Sequence, residues 1–173
     1  MSAQTPLSSV ELLRLAIHIR IASLKMIAYT KSGHPAGSLS LADIFAVLYG
    51  SILKHRPHQP HWPERDRLLV SNGHIAPAWY AVLAQVGYFP KTLLANFQEV
   101  DSLLQGHPRF STNRAELLPG IENTSGSLGQ GLSQACGLAW ALKSDHNPAR
   151  VYCIMGDGEQ QEGQVWEAYQ YGV

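Results

Sequence analysis

Apolar residues recur at 12, 13, 16, 17, 21, 24, 27 and 28, the spacing of one helix face interrupted by Arg20. Ser8 and Glu11 stand three apart before that run, as a capping box requires. The pattern therefore predicts a long amphipathic helix ending near Lys31. "SGHPAGSLS" reads as a loop marked by glycine and proline, and Ser40 then opens "LADIFAVLYGSIL" as a second helix with Asp43 in its first turn. Residues 54–65 read as a proline-rich surface loop. "RLLVS", 67–71, is a short apolar run suited to a buried strand, and "NGH" turns it into a helix from Ile75 to Gln85.

Pro90 is expected to start a shorter helix reaching about Val100. Residues 101–126 form a polar loop rich in glycine and proline, too long for a mere connector and of the kind that carries function. "GSLGQGLSQACGLAWALK" follows as a helix preceded by glycines. Its Gly129, Ser133 and Gly137 at i, i+4 and i+8 predict a smooth face that another backbone could approach. A strand over 150–155 and a final helix complete the pattern. Helices between short apolar strands predict an α/β fold with a parallel sheet flanked by helices. Two strands are few for a parallel sheet buried on both faces, so the sheet reads as truncated on its C-terminal side.

Composition narrows the function classes. Hydrophobic residues make up 45% and charged residues 15%, which suits a compact fold rather than a disordered chain. Thirteen basic and thirteen acidic residues cancel, so no charge block advertises nucleic acid or an anionic membrane as a partner. The first residues lack the pattern of a secretory signal, and no apolar run approaches the roughly 18 residues that span a bilayer. Cys136 and Cys153 form no CxxC pair and read as buried thiols, so a cytoplasmic location is expected.

Three groups of residues carry candidate chemistry. In "MGDGEQQEG", Asp157 lies between Gly156 and Gly158 where a strand meets a helix. Glycines would permit unusual backbone angles, the helix start would face an anion, and Asp157 could offer a hard oxygen to Mg²⁺ or Ca²⁺. A plain strand–helix turn capped by Asp157 fits equally well. A P-loop does not, because Gln164 and Val165 stand where lysine and a hydroxyl residue belong. "NTSGSLGQG" holds a second glycine cluster without the dinucleotide spacing, readable as a cofactor loop or as glycine-rich helix packing. His34, His74 and His107 sit in glycine-marked loops, where imidazoles could donate to hydroxyls and phosphates or pass protons. His55, His58 and His61, separated by prolines, read as solvated rather than as zinc ligands.

In order along the chain, "KSGHPAGSLS", "ERDRLLVSNGH", "LLQGHP", "PGIENTSGSLGQGLSQACG" and "MGDGEQQEGQVWEA" resemble the N-terminal, diphosphate-binding region of transketolases. The wording of the last two blocks is most similar to separately encoded N-terminal subunits. The resemblance implies a thiamine-diphosphate-binding fold. Residues 1–173 would be the N-terminal, incomplete part of the diphosphate-binding domain, without the pyrimidine-binding and C-terminal domains. It implies thiamine diphosphate with Mg²⁺ or Ca²⁺, and transfer of a two-carbon ketol unit from a ketose phosphate to an aldose phosphate. Asp157 would ligate the metal, and Gly156 and Gly158 would bind the diphosphate side. Gly126 and Leu128, with Ser127 between them, would bind the aminopyrimidine side. His74 would lie near the diphosphate, while His34 and His107 would orient donor hydroxyls and stabilise developing charge. Glu162 would stand near a subunit interface.

Some family features do not match. Ala36 replaces a glycine usual in the first histidine loop. The family's metal motif runs on to an asparagine ligand, and its activating glutamate belongs to another domain. The 173 residues alone are therefore expected to be inactive, requiring further chain and a partner subunit, as a homo- or hetero-oligomer. Two other readings stand beside this one: a non-catalytic remnant that binds a partner, and a component of another thiamine-diphosphate enzyme such as dihydroxyacetone synthase.

Overall fold

The computed structural model describes residues 5–113 and 116–172. The first four residues, on which the reading of the N-terminus partly rests, lie outside them.

Helix α1 spans Ser9–Thr30 behind the expected capping box: Glu11 N–H donates to the Ser8 hydroxyl and the Ser8 N–H donates to the Glu11 carboxylate at 2.8 Å. Lys31, at φ 55°, closes it in the left-handed region. The next segment departs from expectation. Pro35–Ser40, read as loop, is a short helix α2, with proline at its first position where the missing N–H costs nothing. Helix α3, Ala42–Val47, then loosens into a π-turn over Leu48–Ile52.

Strand β1, Arg67–Val70, leads through a 3₁₀ turn at Gly73–Ile75 into α4, Ala76–Val86. The helix expected from Pro90 to Val100 is only a 3₁₀ segment, Lys91–Asn96. Phe97 leaves it to bury its ring completely, and Gln98, at φ 58°, donates its N–H to the Leu104 carbonyl at 2.8 Å. Helix α5, Gly131–Ser144, strand β2, Val151–Ile154, and helix α6, Gly163–Tyr171, follow as the pattern predicted.

The two strands form a parallel sheet in which Arg67 pairs with Val151 and Val70 with Ile154. Asp66 sets that register from one end. Its buried carboxylate accepts the N–H of Arg150 at 2.8 Å and of Lys54 at 2.9 Å. On the other edge of β1 a side chain stands in for a strand: the Asn123 amide accepts from Val70 N–H and donates to Val70 C=O, both at 3.1 Å. The long loop expected to be functional is thereby stitched to the sheet.

The core surrounds α4, where Trp79, Tyr80 and Leu83 are fully buried in one cluster with residues of α1 and α3 and with Leu68 and Val70 of β1. Trp79 also donates its indole N–H to the Tyr49 hydroxyl at 2.9 Å. His55, expected to be solvated, is instead buried between Tyr49 and Tyr88, while His58 and His61 are exposed. Its Nε2 pairs with the Tyr49 carbonyl at 2.8 Å, which requires that nitrogen to carry the proton. Burial pushes this imidazole below its ordinary pKa. Cys136 and Cys153 are free and half-buried, and no helix among the described residues is long and apolar enough to cross a membrane.

Candidate functional site

Both strands point their carboxyl ends at a cleft of about 320 Å³, where ligands of open α/β sheets bind. β1 delivers Asn72 and His74 to it, and β2 delivers Met155, Gly156, Asp157 and Gly158. Gly37, Ser40 and Leu41 from α2 and its end form the opposite wall, and Leu128 reaches in from the second glycine cluster. Four segments far apart in sequence thus converge.

The three candidate histidines also meet. The ring of His34 lies 5.3 Å from His74 and 6.4 Å from His107, centre to centre. His74 lines the cleft and is half-buried, whereas His34 and His107 are exposed beside it. Burial, then the neighbouring His34 and His107, push His74 below its ordinary pKa, so near neutral pH it holds one ring proton to donate. Gly126 faces the His107 ring, such that an added Cβ would stand 3.4 Å from it. Ser127 is exposed between Gly126 and Leu128 and does not line the cleft.

The Gly156–Gly158 turn differs from the two readings the sequence allowed. Neither glycine takes a positive φ, so unusual backbone angles are not why they are there. Asp157 precedes a 3₁₀ turn, Gly158–Gln161, but its side chain makes no capping hydrogen bond and stays exposed. α6 begins only at Gly163, beyond this turn, so the loop does not run straight into the start of that helix. The residue that ties the loop down is Glu159. Its buried carboxylate accepts the Ser71 hydroxyl at 2.5 Å and the Gly129 and Gly156 N–H groups at 2.7 Å each. Ser71 in turn accepts the N–H of Gly131 at 3.0 Å. One carboxylate therefore joins the end of β1, the start of α5 and the turn after β2.

Sequence reasoning missed Glu159, Ser71 and Asn72. The only signal was Asn72 inside "SNGH"; Glu159 looked like any acid in a first turn. Of the small-residue stripe, Gly129 is closely approached, since a Cβ there would stand 2.9 Å from the Glu162 Cβ, whereas Ser133 and Gly137 stay exposed with nothing within 4 Å of a Cβ at Gly137. Gly131, outside the stripe, makes a closer approach still: a Cβ there would come within 2.6 Å of the Ser71 Cα. Gly73 is similarly constrained, because a Cβ would meet the Ser125 backbone at 2.7 Å. Glu162 occupies the N-cap position of α6 without a side-chain capping bond, and its Cβ lies toward Gly129, outside the cleft.

Three features of the cleft leave room and unused polar groups for a bound ligand. A Cβ at Gly158 would meet nothing within 4 Å, so the protein's own packing does not demand glycine there. Asp157 is an uncommitted hard oxygen donor. The Asn72 side-chain oxygen is buried without a partner, an expensive state that a bound group or water would relieve. Asp157 would supply only part of a coordination sphere, because no group of three or more histidine, cysteine or acidic side chains among the described residues could hold a metal.

The description "Transketolase, thiamine diphosphate binding domain" fits residues 13–172. The chain belongs to the transketolase family. It is 47% identical over 150 residues to the 6-deoxy-6-sulfo-D-fructose transketolase subunit of Clostridium sp. (strain MSTE9), a match covering 87% of this chain and 53% of that relative. Human transketolase is 40% identical over 154 residues, covering 88% of this chain and 24% of the human protein. The crystal structure of Campylobacter jejuni transketolase superimposes with a TM-score of 0.83 at 39% identity, covering 94% of this chain and 26% of that one. The fold is therefore the thiamine-diphosphate-binding α/β fold of transketolases, and the chain spans about half the length of the one relative and about a quarter of the others.

Proposed function

We propose that this chain supplies the diphosphate and metal half of a transketolase site, and that protein outside these residues completes it. The complete site would move a two-carbon ketol unit from a ketose phosphate to an aldose phosphate. The carrying observation is the convergence of His74, Leu128, Asp157 and Gly158 on one cleft at the ends of both strands. Thiamine diphosphate supplies the nucleophilic carbon and electron sink that such a transfer needs. Asp157 would hold Mg²⁺ or Ca²⁺ against the diphosphate, with Gly156 and Gly158 beside it. His74, neutral and half-buried, would donate to a phosphate oxygen. Leu128 offers an apolar wall to a flat ring, next to Gly126 and Ser127. His34 and His107, exposed at the rim, would hydrogen-bond donor hydroxyls and stabilise charge where the sugar enters.

The completing protein is proposed to be a transketolase C-terminal subunit or domain that carries the pyrimidine-binding glutamate, in a homo- or hetero-oligomer. The relative named as a subunit supports that reading. So do the exposed aromatics of α5 and α6: Trp140, Trp166 and Tyr171 are 64%, 59% and 66% exposed.

Ketol transfer by the chain mixed with such a subunit, in thiamine diphosphate and Mg²⁺, tests the proposal. Activity is expected from the mixture and not from either component. Asp157→Asn should lower it at least 100-fold while leaving the subunits associated. A mixture that associates but stays inactive would favour the second reading, a non-catalytic binding component.

A further inference from the structure

A second cleft lies away from the cofactor cleft and shares no residue with it. The later half of α1 and the 3₁₀ segment Lys91–Asn96 enclose about 330 Å³ between them. Met26 and Phe97, both buried, line it with Ala22 and Leu94. Its size is at the lower end of small-molecule sites, and its lining has their usual character, mostly apolar with a few polar groups. Those polar groups are Lys25, Lys91 and Thr92, with Tyr29 beside them. Both lysines are exposed, and neither has an acidic partner among the described residues.

We infer that this cleft binds a small amphipathic carboxylate, its apolar body against Met26 and Phe97 and its anionic head between Lys25 and Lys91. Charge decides the class. Two unpaired ammonium groups beside an apolar pocket favour an anion over a neutral or cationic amphiphile of equal length. A nucleotide or sugar phosphate fits poorly, because Thr92 is the only side-chain hydroxyl besides Tyr29 available to read its polar groups. The apolar floor is fixed by the fold rather than by a ligand: Phe97 is buried where the 3₁₀ segment ends, and Met26 belongs to the buried face of α1.

The chain's three methionines make the test direct. Met26 lines this cleft and Met155 lines the cofactor cleft, so methyl-labelled methionine reports each separately by NMR. Octanoate, kept below its micelle concentration, should shift the Met26 methyl saturably and leave Met155 in place. Octanol should bind roughly tenfold more weakly, and octyltrimethylammonium more weakly still, as two solvent-facing charge contacts imply. A Lys25→Met, Lys91→Met double variant keeps the apolar stems. It should lose roughly tenfold in octanoate affinity with octanol binding unchanged. The inference is overturned if Met26 does not respond, if octanol binds as tightly as octanoate, or if the double variant binds octanoate normally. A shift at Met155 with the same midpoint would also overturn it, by placing the ligand in the other cleft. None of these outcomes bears on thiamine diphosphate binding, which Met155 reports in its own titration.

Discussion

The two strands of this sheet live in different surroundings. β1 buries Leu68, Leu69 and Val70 and feeds α4, in which nine of eleven residues are buried. β2 buries only Ile154, and its flanking helices bury two residues each: Gly131 and Ala135 in α5, Val165 and Ala168 in α6. The stability of the fold therefore resides on the β1 side. The candidate metal ligand, the glycine cluster and the exposed Trp140, Trp166 and Tyr171 belong to the segments around β2, while α1 also leaves Leu13, Tyr29 and other apolar side chains exposed. The cleft sits where the two sides meet, joined by Glu159.

Cutting into the enclosed side should cost most. Trp79→Ala removes a fully buried indole and its bond to Tyr49, and should lower stability by about 4 kcal/mol, read by urea unfolding. A loss near 1 kcal/mol would show that α4 is not the centre of the core. Glu159→Ala strikes the junction. It leaves the Ser71 hydroxyl and the Gly129 and Gly156 N–H groups without their acceptor, at a cost of about 3 kcal/mol, and should raise hydrogen exchange at Gly129 and Gly156. Glu159→Gln should recover only part of that, since its amide nitrogen must face a donor on one side.

Acidification separates the sides more gently. Burial holds His55, in the enclosed core, and His74, in the cleft, below the ordinary value of 6.5. The unfolded chain therefore takes up these protons first as pH falls. Stability from the two imidazoles is full above about pH 6.5 and is lost as pH drops through their lower folded-state values. The melting temperature should decline over that window, and His55→Gln should flatten the decline. The smallest effect belongs to the open side: Trp166→Ala, at an exposed ring, should change monomer stability by less than about 0.5 kcal/mol. A large loss there would mean that α6 is already part of the core.

The same division explains what the sequence revealed. The capping box of α1, the apolar run of β1 and the α4 pattern depend on local spacing, and each was legible. Their glycine-marked loops grouped His34, His74 and His107, and the structure sets the His34 ring 5.3 Å from His74 and 6.4 Å from His107. Contacts between distant segments were not legible. Glu159 bonds residues 30 and 88 positions away, and nothing in "GDGEQQ" distinguishes it from Glu162. His55 looked solvated because prolines surround it, yet the loop folds back to stack it on Tyr88 with the ring planes 8° apart. Pro35 suggested a loop and instead starts α2, because proline breaks a helix interior but suits its first turn.

The most direct test of the central claim, that the strand-end cleft receives the cofactor, is titration of thiamine diphosphate into the chain with methyl-labelled methionine. With Mg²⁺ present, the Met155 methyl should shift saturably, if weakly, while Met26 stays fixed. The shift should disappear without Mg²⁺ and in Asp157→Asn. Binding that leaves Met155 unmoved, or that Asp157→Asn does not alter, would contradict the claim.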